Sequence, residues 1–418
     1  VGAGVVDILQ KQAGLLAARA GRPIELVAVS ARRRDANRPV DVSSYRWFDD
    51  AAEMAVADGI DVVVELIGGS EGTARKTAMA ALGAGRHLVT ANKALLAIHG
   101  SEIAATAEKA GLAVAYEAAV AGGIPVIKGL REGLSANNIF AIEGILNGTC
   151  NYILTQMRLT GRDFEHVLGD AQALGYAEAD PSFDVDGIDA AHKLTVLASA
   201  AFGCPVDFDS VHVEGIRDIT ALDIEFAAEL GYRIKLLGIA RLVEGAIERR
   251  VHPCMIPLDH PLAMVEDAFN AVTVLGDAVD KVTFIGRGAG AGPTASAVVA
   301  DLVDVARGRT TPTFTLPQAE LRNLPVVPMD RHRGEYYVRL TVLDQPGVIA
   351  HIGAAMRDEA VSISRLSQHG RGTAANRNVS VVFTTHETDE AAMNRVLARI
   401  EAHPAVVARP SVIRIEAI

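Results

Sequence analysis

The sequence is short of cysteine, of basic charge and of long apolar runs, and each shortage excludes something. Its cysteines are Cys150, Cys204 and Cys254, odd in number and far apart. They offer neither a disulfide framework nor the paired spacing of a zinc cluster, and they suit a reducing cytoplasm. With 40 Lys and Arg against 51 Asp and Glu, the formal charge is −11. That balance argues against non-specific binding to nucleic acid or to an anionic membrane. No uninterrupted apolar run reaches the ~20 residues of a membrane span. HExxH, a Walker loop, a Ser-His-Asp arrangement and a low-complexity tail are all lacking as well. A soluble cytoplasmic protein is the expectation.

What is present is length and apolar content. A chain of 418 residues, 50% of them hydrophobic, is too long for one ordinary domain and predicts two or three. The stretch VGAGVVDILQKQAGLLAARA reads as a helix from the first residues. In a dinucleotide-binding fold a strand and a glycine-rich turn precede such a helix. Gly2 then reads as the last glycine of a G-x-G-x-x-G fingerprint, the one needed for close helix–strand packing. On that reading the strand lies upstream of Val1, and the nucleotide domain is N-terminally incomplete. Val1 and Gly2 are the cofactor-facing positions at this end.

A second strand, IELVAVSARR, ends in Arg32, Arg33 and Arg34 rather than in the acidic residue that bonds ribose hydroxyls in NAD sites. Arginine suits a 2′-phosphate, so Arg32 points to NADP over NAD; the alternative is a solvated loop. IDVVVELIGG is a continuous apolar run ending in Gly-Gly, as a buried parallel strand under a cofactor should be. After a helix comes RHLVTANKALLA, which places Lys93 just past a strand's C-terminal end, where open parallel sheets bind ligands. Thr90 lines the same place. Glu117 follows at the end of LAVAYE, before a glycine-rich turn whose carbonyls need partners. A monovalent cation can satisfy them, or the turn simply starts a helix.

The chain is organised around GYAEADPSFDVDGIDAAHK, residues 175–193. Gly175, Pro181 and Gly187 mark its first part as an irregular loop. From Ile188 the apolar residues take helical spacing, so Asp189 and Lys193 are i, i+4 on one face. The bland reading is a solvated acidic loop with a surface ion pair. Against it, the helix continues as LTVLASAAFG, almost wholly apolar, so its first turn is anchored in a core.

This string resembles, almost position for position, the substrate-binding signature of homoserine dehydrogenases. The resemblance runs through VTANKALL, AVAYEAAVAGGIPVIKGL and the Asn147-Gly148-Thr149 turn, and it covers essentially the whole chain. It implies reduction of L-aspartate 4-semialdehyde to L-homoserine with NAD(P)H, on the route to threonine, methionine and isoleucine. By the same resemblance Lys93 contacts the nicotinamide end of the cofactor, and the chemistry of reducing an aldehyde makes Lys193 the expected proton donor. Asp189 and Asp184 orient the substrate and Lys193, and Glu178 takes the substrate ammonium. Sodium is implied at Glu117 with the main-chain oxygens of Val120, Gly122 and Ile124. GRGAGAGPTASAVVADLVDVARG returns the chain to the first domain, with Gly288 and Ala289 approaching the cofactor.

Beyond a proline-rich stretch, the order strand–helix–strand–strand–helix–strand predicts a ferredoxin-like unit. VLDQPGVIAHI resembles the opening of an ACT domain, with Asp344, Pro346 and Gly347 in the turn that holds an amino-acid effector such as L-threonine. The alternative is an inert oligomerisation module.

The expected fold is α/β: a Rossmann-like domain, an α+β insertion and a C-terminal ferredoxin-like ACT domain. The expected division is 1–128 NAD(P)-binding, 129–285 catalytic and dimerising, 286–308 return helix, 309–332 linker and 333–418 ACT. A homodimer or homotetramer is expected. Two competing readings are another amino-acid dehydrogenase on the same scaffold and a non-catalytic amino-acid sensor.

Overall fold

The computed structural model of the chain describes residues 1–370 and 378–416. It begins with two helices, α1 (Gly2–Lys11) and α2 (Ala13–Ala20), where the sequence predicts one. Two short parallel sheets follow. β1 (Ala28–Ser30) pairs with β2 (Arg46–Phe48), and after α3 (Ala51–Val56) comes β3 (Val62–Glu65). Then α4 (Thr73–Gly83), β4 (His87–Thr90), α5 (Lys93–Lys109) and β5 (Val114–Ala115) complete the order β3-β4-β5. The apolar run from Ile60 yields a strand of only four residues, because Gly68 and Gly69 turn the chain at φ 87° and 78°. Only glycine adopts such angles without strain.

The strand expected to pack on Gly2 is the one placed upstream of Val1, and among the described residues Gly2 has no close neighbour. A Cβ there would meet nothing nearer than Leu66 Cδ1 at 3.9 Å. The close approach is at Gly4, where a Cβ would lie 3.0 Å from the Ala291 carbonyl oxygen. The partner is therefore a helix from late in the chain and not a strand.

After the short α6 (Val126–Lys128), the second unit is built on a mostly antiparallel sheet. Its elements are β6 (Ile139–Ile145), α7 (Gly148–Thr160), α8 (Phe164–Ala173), α9 (Ser182–Val185) and α10 (Ile188–Phe202). β7 (His212–Val213), α11 (Ala221–Glu229), β8 (Tyr232–Val243), β9 (Ala246–Pro257), β10 (Phe269–Gly276) and β11 (Asp280–Arg287) follow. β11 pairs with β10 at the edge of the sheet. α10 is buried along nearly its whole length, as a helix apolar all round must be. It packs on β6, β8 and β9 and also on α5 of the nucleotide domain. One helix is thus core to both units.

α12 (Ala291–Ala306) returns the chain as expected. Its Ala295, Val298 and Leu302 share a core with Val5, Leu9 and Leu16. The next segment is not a free linker. Phe314 is fully buried beside Tyr116, and the Tyr116 hydroxyl donates to the Thr313 carbonyl. Its lack of periodicity reflects an extended strap pinned into the core by single side chains.

The last unit comprises β12 (Arg333–Leu343), α13 (Val348–Asp358), β13 (Ile363–His369), β14 (Asn378–Thr385), β15 (Thr388–Asp389), α14 (Glu390–Glu401) and β16 (Ser411–Ile415). Its strand order β16-β12-β14-β13 is the predicted ferredoxin-like arrangement. It does not stand apart. β16 pairs in parallel with β9, Arg414 opposite Cys254 and Ile415 opposite Met255. The catalytic and ACT strands thereby fuse into one 11-stranded sheet.

Candidate active site

The N-terminus of α10 faces the N-terminus of α5, and their first turns bring three charged side chains together. Asp189 Oδ1 lies 2.8 Å from Lys93 Nζ. Its Oδ2 lies 2.7 Å from Lys193 Nζ, one helical turn on. Lys193 Nζ also donates to the Leu146 carbonyl at 2.8 Å. Asp189 and Lys193 are buried, and Lys93 remains about one-third open to solvent. Two lysines therefore share one carboxylate, and the more accessible of them comes from the nucleotide domain.

The sequence folds this way for local reasons. Gly187 at φ 86° starts α10 where a side chain would press on Val213. Asn92 caps α5 by accepting the Leu95 N–H, which fixes Lys93 as the first helical residue. Asn147 does the same for α7, accepting the Cys150 N–H at 2.8 Å. Its Nδ2 then donates to Asp184 Oδ1 at 2.7 Å and to Asp189 Oδ2 at 2.8 Å. Asn147 is thus the clip that joins the two aspartates. The sequence marks it only as part of the Asn-Gly-Thr turn.

The charges respond to this packing. Burial pushes the Lys193 ammonium below its ordinary range; Asp189 opposes the shift, and the neighbouring Lys93 adds to it. Burial works against the Asp189 carboxylate, but the two lysines outweigh it and hold the group well below the usual range. Burial raises Asp184, with Asn147 opposing. Burial also lowers His192, whose ring stacks on Phe208 at 4.5 Å. A lysine lowered by desolvation and by a second cation gives up its proton more readily, as an acid–base group must.

Other predicted residues fall elsewhere. Glu178 is exposed on the loop between α8 and α9, and among the described residues it is outside the hydrogen-bonded cluster. Thr90 is buried at the end of β4, and its hydroxyl donates to Glu65 Oε2 at 2.6 Å. Glu65 also accepts the Ile67 and Gly68 N–H groups, so this carboxylate shapes the Gly68–Gly69 turn. Its signal was a lone acid inside an apolar strand. Arg32 is exposed after β1, and Val1 and Gly2 are exposed at the start of α1.

Glu117 is buried and accepts the Ile127 and Lys128 N–H groups at 2.9 and 2.8 Å. It therefore caps α6. Burial pushes it up to about 7. Val120, Gly122 and Ile124 line the adjoining turn, all buried. A Cβ at Gly122 would lie 2.4 Å from the Gly288 carbonyl oxygen, and one at Gly288 would lie 2.1 Å from Asn270 Cγ. Backbone meets backbone between Gly122 and Gly288, and the Asn270 side chain presses on Gly288 from the other side. Ala289 is exposed beside this contact. Asp344, Pro346 and Gly347 form the exposed turn from β12 into α13, where Gln368 Nε2 donates to Asp344 Oδ1 at 3.3 Å.

A second buried group joins His252, Cys254 and Glu416, with ligand atoms within 4.8 Å of one another. The Arg250 guanidinium already lies 3.0 Å from Glu416 Oε1, and burial holds the Cys254 thiol protonated. That cluster is charge-balanced by arginine and poorly suited to a cation.

Parallel strands ending at Thr90 and Glu65, beside two lysines that share one buried carboxylate, are the arrangement of a nucleotide-dependent enzyme. Residues 1–117 match the family described as homoserine dehydrogenase, NAD binding domain. Residues 125–303 match homoserine dehydrogenase, and 336–405 match the ACT domain. A homoserine dehydrogenase of Pseudomonas aeruginosa is 46% identical over 422 residues, covering 100% of this chain and 96% of that one. One from Neisseria gonorrhoeae is 43% identical, covering 100% and 97%. The crystal structure of a homoserine dehydrogenase from Thiobacillus denitrificans superposes with TM-score 0.92 at 45% identity, covering 100% and 96%. The chain belongs to the homoserine dehydrogenase family. It is an oxidoreductase with a nicotinamide-binding domain and a C-terminal ACT domain. Among the described residues no helix is long and apolar enough to cross a membrane.

Proposed function

We propose that the Lys93–Asp189–Lys193 cluster is the reaction centre for interconverting L-aspartate 4-semialdehyde and L-homoserine, with NADP as the preferred cofactor. The observation that carries this reading is the one buried carboxylate shared by two lysines at the seam of the two units. A bound nicotinamide supplies the hydride. Hydride arriving at an aldehyde carbon leaves negative charge on oxygen, which must be stabilised and protonated. Lys193 gives the proton in reduction and takes it in oxidation. Lys93 is the second positive group at that oxygen. Asp189 orients both lysines, Asp184 orients the substrate, and Glu178 holds its ammonium.

The residues fit the cofactor. Thr90, through its backbone, and Lys93 stand at strand ends, the position where open parallel sheets bind nucleotides. Gly288 and Ala289 offer bare backbone, and Val1 and Gly2 open a helix. Arg32 suits a 2′-phosphate. A sodium ion held by Glu117 and the carbonyls of Val120, Gly122 and Ile124 fits a buried carboxylate that otherwise resists ionisation.

In this reading 1–128 with the return helix 286–308 bind cofactor, 129–285 carry catalysis and dimerisation, 309–332 connect, and 333–418 sense threonine through Asp344, Pro346 and Gly347. The protein works in the cytoplasm as a homodimer or homotetramer, supplying threonine, methionine and isoleucine synthesis.

The test is spectrophotometric oxidation of L-homoserine with NADP and with NAD, repeated with L-threonine. Turnover that threonine suppresses supports enzyme and sensor together. Turnover without suppression removes threonine as effector. A folded chain that does not turn over refutes the reading.

A further inference from the structure

We infer that Arg414, on the last strand of the ACT domain, is a positioning residue for the dehydrogenase site, acting through Glu214 on the segment after β7 that packs against the turn following Asp184. The inference rests on the assignment of Asp184 and Asp189 to the substrate pocket.

The Arg414 side chain is buried on β16. Its Nη1 donates to Glu214 Oε2 at 2.8 Å and its Nη2 to Glu214 Oε1 at 2.9 Å, a two-pronged grip across the domain seam. Its Nε donates to Glu390 Oε2 at 2.9 Å, and Glu390 also accepts the Tyr336 hydroxyl at 2.7 Å. Glu390 alone therefore balances this cation inside the ACT domain. Glu214 is a second carboxylate, supplied from the catalytic unit, where charge balance does not require it. The planar guanidinium fixes the angle between the two in a way that lysine cannot.

Glu214 sits at the head of a segment pressed against the acidic loop. Its N–H donates to the Val251 carbonyl at 2.8 Å, and His212 Nε2 lies 2.7 Å from its Oε1. A Cβ on the next residue, Gly215, would fall 2.3 Å from the Val185 oxygen and 2.6 Å from Asp186 Cα. The Ile216 N–H donates to Val185 O at 2.9 Å. Arg217 then bonds Asp186 and, at 3.1 Å, Ser182 Oγ. From the other side, a Cβ at Gly187 would stand 3.0 Å from Val213 Cγ1 and 3.3 Å from the Glu214 carbonyl oxygen.

Backbone thus lies flush on backbone from Val213 to Arg217 and from Val185 to Gly187. Asp184 precedes this contact and α10, with Asp189 in its first turn, follows it. Close-packed contacts of this kind transmit small shifts instead of absorbing them. Moving Arg414 moves Glu214, and with it the residues between the two aspartates.

The test uses the full chain and steady-state homoserine oxidation. Glu214→Gln, at a side chain 40% exposed, should raise the KM for homoserine roughly twofold to thirtyfold, the span of couplings carried at a distance. The KM for NADP should stay within about twofold, since the Glu214 segment borders the acidic loop and not the strand ends. Arg414→Lys should give a similar change, and the double variant should be no worse than the poorer single. An unchanged homoserine KM in folded Glu214→Gln overturns the inference, as does full additivity in the double variant. If Arg414→Lys does not fold, Glu214→Gln and its KM split carry the decision alone. Absence of wild-type turnover in the same assay refutes the parent reading instead, and the inference falls with it.

Discussion

Lys93 and Asp189 meet at 2.8 Å although they belong to different units and lie on different helices. That contact ties the nucleotide domain to α10 at the centre proposed for the reaction. Because the other oxygen of Asp189 holds Lys193, the carboxylate sets the distance between the two ammoniums and screens them from each other.

Removing that screen has a cost. In Asp189→Asn the buried Lys193 ammonium loses its counterion while Lys93 still repels it. Unpairing a buried ion in this way typically costs about 3–5 kcal/mol. The thermal transition of the full chain should fall and turnover should drop together. A variant with both unchanged would remove Asp189 from its central place.

The pH dependence has a definite sign. With Lys193 as the proposed base, homoserine oxidation needs its neutral amine, so the rate should rise with pH through the lowered value. Reduction needs the ammonium and should fall over the same range. Burial lowers Lys193 most, and Lys93 adds to it. Lys93→Met removes the second cation and should displace both limbs to higher pH, besides slowing turnover by roughly two orders of magnitude. Profiles of kcat against pH for the two proteins decide this, and limbs that stay in place would assign the titration to another group.

Gly122 and Gly288, proposed here to stand near the cofactor, admit no side chain. Gly122→Ala would place a methyl 2.4 Å from a backbone oxygen at φ +52°, and Gly288→Ala would place one 2.1 Å from Asn270. Overpacking on this scale typically costs about 1–3 kcal/mol. NADP affinity measured by fluorescence titration should weaken in both variants before homoserine affinity does.

Sodium should act through Glu117. With its pKa raised from 4.5 to about 7, the folded chain holds this proton more tightly than the unfolded chain, so stability declines as pH rises through that interval. A cation favours the carboxylate and offsets the decline. The gain in melting temperature from sodium over choline at equal ionic strength should therefore grow from about pH 6 to about pH 8. It should vanish in Glu117→Gln. Equal melting curves in the two salts would exclude the ion.

Much of this was legible before any coordinates. Lys193 and Asp189 share a helical face because i, i+4 spacing requires it, and an apolar continuation demands that the helix be buried. Lys93 stands at a strand end because an apolar run stops at Thr90. The ferredoxin-like order of the tail follows from alternating period-two and helical segments. These are local patterns, and local chemistry determines them.

Other features have no local signal. Nothing in the sequence around Asn147 says that its amide will join Asp184 to Asp189, since that depends on α7 and α10 meeting end to end. Gly4, and not Gly2, packs closely because a helix from nearly three hundred residues later lies against it. Phe314 belongs to the core because Gly100 leaves room for its ring. The pairing of β16 with β9 joins two edges that each looked complete within its own unit. Side-chain type and spacing fix which residues can do chemistry and on which face they stand. Which faces meet is decided by long-range burial and by the pairing of distant backbone, and only the tertiary structure records it.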